Sequence, residues 1–258
     1  MIQMSWGTQP VGDFDELLNR VPKSALDSPR RSLVPLLDYW RDPKSGFDKL
    51  SAVQGCRVGP PVQLLFEHAV PVQAGRGKAS FTDLMILGEE TAVAVEAKHT
   101  EPKYKSTREW LRGEKGGNRH DVLRGWLGLI SATTTLPLTS DSVLDLPYQL
   151  IHRTASVCFL GRPTASVVYL VFGEKSAPRY RESLSDFAEL LGSPPMISFH
   201  LLSCTVAETD SYSGLLKRWD RGDRKLGDEV RNMLRRGPAF SFGPLKTLFS
   251  SLTQTNRI

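Results

Sequence analysis

The sequence predicts an α/β domain in which helices flank a mixed central sheet. Its 258 residues are 40% apolar and 24% charged, which is enough apolar content to bury a core. The spacing of the apolar residues changes along the chain between the helical and the strand period. The resulting order is a helix, three strands, helices, a strand, a helix and a strand, which is typical of a mixed sheet covered by helices.

The first half of the chain supplies the opening helices and the three strands. Residues 1–30 are polar and broken by prolines, so we expect a leader packed loosely on the body. Apolar residues at helical spacing predict a helix over 31–40, and a second short helix follows over 47–53. Alternation then predicts a strand over 62–73, and strand-like composition predicts two more over 81–87 and 92–99, joined as a meander.

The second half alternates between helices and strands. The predicted elements are helices over 120–132, 147–160 and 179–191, strands over 167–172 and 196–206, and one or two basic helices over 212–236. The domain organisation expected from this order is a leader over 1–30, a main domain over 31–210 and a basic helical extension over 211–258, packed on the same domain.

Composition excludes several classes of protein. The three cysteines lie far apart and form no CxxC pair, which argues against a disulfide framework and a zinc knuckle. No basic start precedes an apolar stretch, and no apolar run approaches a membrane span, so a cytoplasmic protein with no membrane partner is expected. A net charge of +5 permits a nucleic-acid partner without requiring one.

Charged residues interrupt two of the predicted apolar strands. Asp83 interrupts FTDLMIL, and Glu96 and Lys98 interrupt AVAVEAKH, although charges are costly in core strands. Alternation places Glu96 and Lys98 on one face, and the tight turn over 88–90 makes the two strands antiparallel neighbours, which brings Asp83 beside them. Two carboxylates suit Mg²⁺, and a nearby ammonium suits phosphodiester hydrolysis. An ion pair without metal is the alternative.

At these residues the sequence resembles the PD-(D/E)XK nuclease superfamily, which includes many restriction endonucleases. Thr82-Asp83 stands where the family often has Pro-Asp, and Glu96-Ala97-Lys98 matches its (D/E)-x-K tripeptide. The resemblance covers about residues 31–175 and implies a restriction-endonuclease-like αβββαβ core. It implies that Asp83, Glu96 and the carbonyl of Ala97 bind Mg²⁺, which Mn²⁺ can replace, and that Lys98 is catalytic.

The resemblance also implies further site residues. Many members add an upstream acidic residue, for which Glu67 is the best-placed candidate and Asp38 or Asp48 are alternatives. Some members carry Gln-xxx-Tyr on a following helix. Here Gln149 matches the first position, while Arg153 stands where the family has Tyr, so its orienting role is an open question.

A basic stretch begins shortly after Lys98 and predicts a nucleic-acid-binding flap with Arg76 and Lys78 beside it. The residues of that stretch are Lys103, Lys105, Arg108, Arg112, Lys115 and Arg119. A solvated face is the alternative, as it is for the acid-interleaved cluster over 217–236. His99 and His120 are candidates for a base or a substrate contact, although a lone histidine is more often structural. Trp110 and Trp126 are most simply packing residues.

The sequence therefore predicts a Mg²⁺-dependent nuclease that hydrolyses DNA phosphodiester bonds, and the family suggests bacterial restriction, phage defence or DNA processing. A catalytically inactive member of the same fold that binds nucleic acid or another protein is the alternative. A third alternative is a structural or interaction protein in which the strand charges are plain ion pairs. Because duplex cleavage often takes two copies, a homodimer is also considered.

Overall fold

The architecture was obtained as a computed structural model that describes residues 1–77, 79–101, 105–113, 117–134, 136–173, 177–192 and 196–253. Within them the chain forms an eight-stranded mixed sheet with helices on both faces, as expected for an α/β protein. None of the helices in this described part combines the length and apolar character that a membrane span requires.

The strands follow in the order β2-β1-β3-β4-β5-β6-β7-β8 across the sheet. Their bounds are β1 Ile2–Trp6, β2 Gln9–Val11, β3 Val62–Val70, β4 Ser80–Leu87, β5 Thr91–Lys98, β6 Thr164–Phe172, β7 Ile197–Glu208 and β8 Phe240–Ser250. The predicted meander is present, because β3, β4 and β5 pair antiparallel in succession. β5, β6 and β7 then pair in parallel, which makes the sheet mixed.

Two helical layers cover the sheet. The helices are α1 Phe14–Arg20, α2 Lys23–Leu26, α3 Leu33–Tyr39, α4 Pro43–Ser51, α5 Thr107–Arg112, α6 Asn118–Thr134, α7 Tyr148–Phe159, α8 Pro178–Leu190, α9 Asp210–Asp220 and α10 Gly227–Arg236. One apolar core joins the sheet to α1–α4, α9 and α10, and the other joins it to α5–α8. Along β5, Val93 and Val95 enter the first core, whereas Ala92 and Ala94 enter the second.

The expectation of a loose leader over 1–30 is wrong. β1 lies between β2 and β3 in the sheet and pairs in parallel with β3. Leu17, Leu18 and Leu26 are fully buried in the first core. Of the prolines that suggested irregular chain, Pro22 and Pro29 separate short elements, whereas Pro10 lies within the edge strand β2. A strand of three residues is too brief for its alternation to be recognised.

The expectation of an entirely helical segment over 211–258 is also wrong in its last part. Residues 240–250 form β8, which pairs antiparallel with β7 at the edge of the sheet, and residues 254–258 lie outside the described residues. Gly243 and Pro244 interrupt the alternation of this strand, and the pairing with β7 has two register shifts. Pro is tolerated there because β8 is an edge strand.

Candidate active site

Two carboxylates and two cations meet on the face of β4 and β5 that α7 covers, and a third carboxylate, Glu67, lies beside them on β3. Asp83 lies on β4, Glu96 and Lys98 lie on β5, and Arg153 reaches them from α7. Alternation along β5 places Glu96 and Lys98 on the same face as Ala92 and Ala94, which belong to the core under α7. Glu96 and Lys98 therefore lie on one face of β5, as the strand period predicts.

Glu96 is the buried centre of this network. Its side chain is 1% exposed, one carboxylate oxygen accepts from Lys98 Nζ, and the other accepts from Arg153 Nε. Burial acts to raise the pKa of Glu96, but Arg153 and Lys98 outweigh it and lower that pKa to about 2. Lys98 is equally buried, and its ammonium lies 5.8 Å from the centre of the Tyr169 ring. Glu96 is therefore an ionised group that two cations hold in place.

Asp83 is the carboxylate of the network that reaches the surface. Its side chain is 24% exposed, and its Oδ2 accepts the backbone N–H of Ala97 at 2.8 Å. Its Oδ1 lies 3.6 Å from Nη2 of Arg153. Burial and the neighbouring charge of Glu96 raise the pKa of Asp83 to about 7, although Arg153 opposes the rise. The neighbouring cations thus hold Asp83 less firmly in its charged form than they hold Glu96.

Glu67 is the third carboxylate, and its backbone is unusual. Phe66 pairs with Leu84 and His68 pairs with Thr82, so the register places Glu67 opposite Asp83. At that point φ of Glu67 is +48°, in the left-handed region that a long side chain rarely adopts. Burial raises the pKa of Glu67, and Arg153 lowers it. The distortion of β3 thus lies directly beside Asp83.

A cleft of about 800 Å³ opens over Asp83 and Glu67. Its basic lining residues are Arg31, Lys105 and Arg119, its aromatic ones are Trp110 and Tyr148, and Glu101 adds a further carboxylate. An acidic floor with a basic and aromatic rim can bind a polyanion while holding a cation at its base.

The basic residues predicted to form a flap are only partly brought to this cleft. Lys105 and Arg119 line it, and the exposed Arg76 lines a neighbouring cleft. Arg108 forms an ion pair with Asp145 instead, and Arg112 is exposed at the end of α5. Lys78, Lys103 and Lys115 lie outside the described residues.

Other predicted candidates lie elsewhere or have structural partners. Asp38 is buried and accepts the backbone N–H groups of Ala239 and Phe240, and Asp48 is exposed and pairs with Lys44. His99 packs edge-on against Phe240, and His120 is exposed on α6.

Sequence reasoning missed several residues of the site. Arg153, considered only as an uncertain match to the family Tyr, proves to be the side chain that touches both Glu96 and Asp83.

Glu101 accepts the backbone N–H of His99 at 2.8 Å and that of Ser32, which fixes the chain as it leaves β5. Trp110 and Tyr148, unlike the buried Trp126, line the cleft. Trp110 lies on α5 and Tyr148 on α7, and no local sequence pattern indicates that they meet.

These features define an α/β protein with a buried carboxylate and cation network beneath a basic cleft. Residues 8–218 match a family described as a domain of unknown function (DUF6946), and the chain belongs to that family. No curated protein and no solved structure matches it.

Proposed function

We propose that this chain is a metal-dependent nuclease with a restriction-endonuclease-like fold. The observation that supports the proposal best is the meeting of Asp83, Glu96 and Lys98 on one face of the β4–β5 hairpin, below a cleft with a basic rim. The order of α3, β3, β4, β5, α7 and β6 agrees with the αβββαβ arrangement that the resemblance implies. DNA is the proposed substrate, because the rim cations suit a phosphate backbone.

The residues fit a divalent cation by the chemistry of their donors. Mg²⁺ takes oxygen ligands, commonly one or two carboxylates completed by water and substrate phosphate. In the described part of the chain no group of three or more His, Cys, Asp or Glu side chains comes together as a metal site. The site to consider is therefore one in which two carboxylates bind the metal. The guanidinium of Arg153 already lies between Asp83 and Glu96, which marks that place as one that favours a cation.

Asp83 and Glu96 would hold the metal, with the carbonyl of Ala97 as a further oxygen donor, and Glu67, opposite Asp83 in the register, would act from beside this pair. The bound metal would activate a water and neutralise charge on the phosphate. Ala97 fixes the orientation of Asp83 through its N–H, and Lys98 keeps Glu96 ionised. Arg153 has to give up one contact, and we expect it to leave Asp83, because that contact of 3.6 Å is the weaker one.

A cleavage assay tests the proposal. Circular and linear DNA are incubated with Mg²⁺, with Mn²⁺ and with EDTA, using the wild type, Asp83→Asn and Lys98→Met. Asp48→Asn is the matched control, because that carboxyl is exposed on α4, which packs on the other face of the sheet. We expect metal-dependent cleavage by the wild type and the control only. Equal cleavage by Asp83→Asn would contradict the proposal.

A nucleic-acid-binding module without catalysis is the second candidate. The observation in its favour is that Glu96 and Lys98 are each only 1% exposed and that Arg153 fills the place between the carboxylates. Under this alternative DNA binds in EDTA, adding Mg²⁺ changes nothing, and no product forms. Calorimetric titration of the protein with Mn²⁺ separates the two candidates, since only the nuclease requires a metal site.

A further inference from the structure

A second cleft of about 360 Å³ lies beside the proposed active site. Trp110, Arg119 and Tyr148 line both clefts and so form the wall between them. Phe81, which is 48% exposed, stands at the second cleft and is two residues before Asp83 on β4. That spacing puts Phe81 and Asp83 on one face of the strand, about 7 Å apart.

Stacked rings form the wall of this cleft. Trp110 stacks on Tyr148 with ring centres 5.4 Å apart and planes 9° apart, and on Trp126 at 5.2 Å and 24°. Trp126 stacks in turn on His152 at 5.0 Å. Trp126 and His152 are buried, whereas Trp110 and Tyr148 are half-exposed, so the outer rings rest on a rigid inner support. The Arg119 guanidinium lies 5.4 Å from the centre of the Trp110 ring.

Two buried polar atoms of residues that line the cleft have no hydrogen-bond partner among the described residues. They are Nε2 of His152 and Oε1 of Gln149. His152 Nδ1 lies 2.9 Å from Nη1 of Arg153, and a guanidinium can only donate, so Nδ1 accepts and the ring proton sits on Nε2. Burial, and then the charge of Arg153, lower the pKa of His152 well below its usual value, which keeps the ring neutral. Two residues that line the cleft thus carry an unsatisfied donor, His152 Nε2–H, and an unsatisfied acceptor, Gln149 Oε1, both buried just beneath the surface.

We propose that the second cleft holds a single unpaired nucleobase of the nucleic-acid substrate. The base stacks against Tyr148, the outermost ring of the stack, because Trp110 already has Tyr148 and Trp126 stacked on it. The edge of the base accepts a hydrogen bond from His152 and donates one to Gln149. Unpaired bases offer both a π face and an edge with donors and acceptors. This inference deepens the proposed function, on which it rests, and names the substrate class as single-stranded or locally unpaired nucleic acid.

Binding without chemistry tests this inference. In EDTA, a short single-stranded oligonucleotide with 2-aminopurine at one position is titrated with the protein, and the same oligonucleotide with an abasic site at that position is the comparison. We expect 2-aminopurine fluorescence to be quenched by stacking, and the abasic strand to bind at least about fivefold more weakly. Equal affinities would overturn the inference.

Matched variants locate the effect in this cleft. Tyr148→Leu and Gln149→Leu should each reduce the preference for the base over the abasic site, while Tyr148→Phe should keep it, because the ring remains. Preference retained in both leucine variants would overturn the assignment. If Tyr148→Leu does not fold, as shown by thermal unfolding, Gln149→Leu and the wild-type comparison still decide the outcome.

Two further results distinguish this inference from a site for free nucleotide and from the proposed nuclease function. Adenosine monophosphate that binds as tightly as the oligonucleotide would show a site for free nucleotide and overturn the assignment to a strand. A base preference in EDTA together with no cleavage in Mg²⁺ would reject the nuclease and support the cleft, whereas cleavage without base preference would do the reverse.

Discussion

Arg153 is the residue on which the charge balance of the site depends. It is buried in the second core and contacts Glu96 closely and Asp83 at 3.6 Å. Both carboxylates raise the pKa of Arg153, although burial opposes them, so it stays a cation. Arg153 therefore neutralises both carboxylates, and a metal bound at the proposed site would compete with it for Asp83.

Replacing this cation by an apolar side chain should make stability depend on metal. Arg153→Leu leaves Glu96 buried with Lys98 alone, and removing one partner of a buried ion pair costs about 3 kcal/mol. We expect Mg²⁺ to restore part of this loss and to raise the melting temperature of Arg153→Leu more than that of the wild type. Thermal unfolding with Mg²⁺ and with EDTA measures both effects.

Arg108→Leu is the control for that experiment, because Arg108 pairs with the exposed Asp145 and should cost below about 1 kcal/mol. If Mg²⁺ stabilises Arg153→Leu no more than the wild type, the place between the two carboxylates is not a cation site.

Asp83 makes the stability of the folded protein sensitive to pH. Its pKa rises from 3.8 to about 7 on folding, so the folded protein holds a proton that the unfolded chain has lost. Stability from this group is therefore complete at low pH and declines as the pH rises through that interval. Glu96 acts in the opposite direction, because its pKa is lowered from 4.5 to about 2 on folding. The stability that it contributes is therefore present above pH 4.5 and is lost as the pH falls below that value.

The variant Asp83→Asn should remove the decline. It keeps an oxygen for the N–H of Ala97 and carries no charge to be buried, so we expect it to be more stable than the wild type at about pH 8, by on the order of 1 kcal/mol. The advantage should shrink at about pH 5. Urea unfolding at both pH values measures it, with Asp145→Asn as the exposed control. An advantage that does not change with pH would be the contrary result.

At the scale of the elements, β3 is distorted where it meets β4. Two like charges directly opposite each other destabilise an antiparallel pair, and Glu67 lies opposite Asp83 in the register. The backbone of Glu67 turns into the left-handed region at this point, with φ of +48°. Strain of this kind persists only where surrounding structure holds it, and it is frequent at functional sites.

Glu67→Gly should separate stability from function. Glycine adopts a positive φ freely, so we expect the variant to unfold at an equal or higher urea concentration, with a gain of about 1 kcal/mol partly offset by chain entropy. If Glu67 is a metal or substrate group, cleavage falls at the same time. Glu67→Gln keeps the strain but loses the charge, so it should lose cleavage without gaining stability. A clear loss of stability in the glycine variant would mean that the side chain holds the strand in place.

The elements differ in how well the sequence predicts them, for physical reasons. β4 and β5 are recognisable because they are apolar runs that charged residues interrupt, and the strand period alone puts Glu96 and Lys98 on one face. β1 and β2 are too short, and β8 is interrupted by Gly243 and Pro244. Arg153 reaches Glu96 across 57 residues, a contact that local pattern does not encode. The same holds for the stack of Trp110 on Tyr148.

At the scale of the whole molecule, the charged residues behind the net charge of +5 are unevenly distributed. Basic side chains of α9 and of the turn before α3 pair with carboxylates, as Arg218 does with Asp223 and Glu229, and Arg30 with Asp220. The acid-interleaved cluster over 217–236 is in this way partly neutralised on the surface. Lys105 and Arg119 line the cleft above Asp83, where Arg119 donates to the backbone carbonyl of Trp110. The charge that matters for a polyanion is therefore the local charge of the cleft.

Salt dependence measures this local charge directly. Each phosphate neutralised on a single strand adds about 0.7 to the slope of log affinity against log salt. We expect Lys105→Ala to weaken oligonucleotide binding in EDTA and to lower that slope by about 0.7, because Lys105 is exposed at the cleft. Lys217→Ala removes an equally exposed charge from α9, on the other face of the sheet, and should leave the slope unchanged. Fluorescence anisotropy over a series of salt concentrations gives both slopes. If the two variants lower the slope equally, binding follows the net charge of the molecule and the cleft has no special part in it.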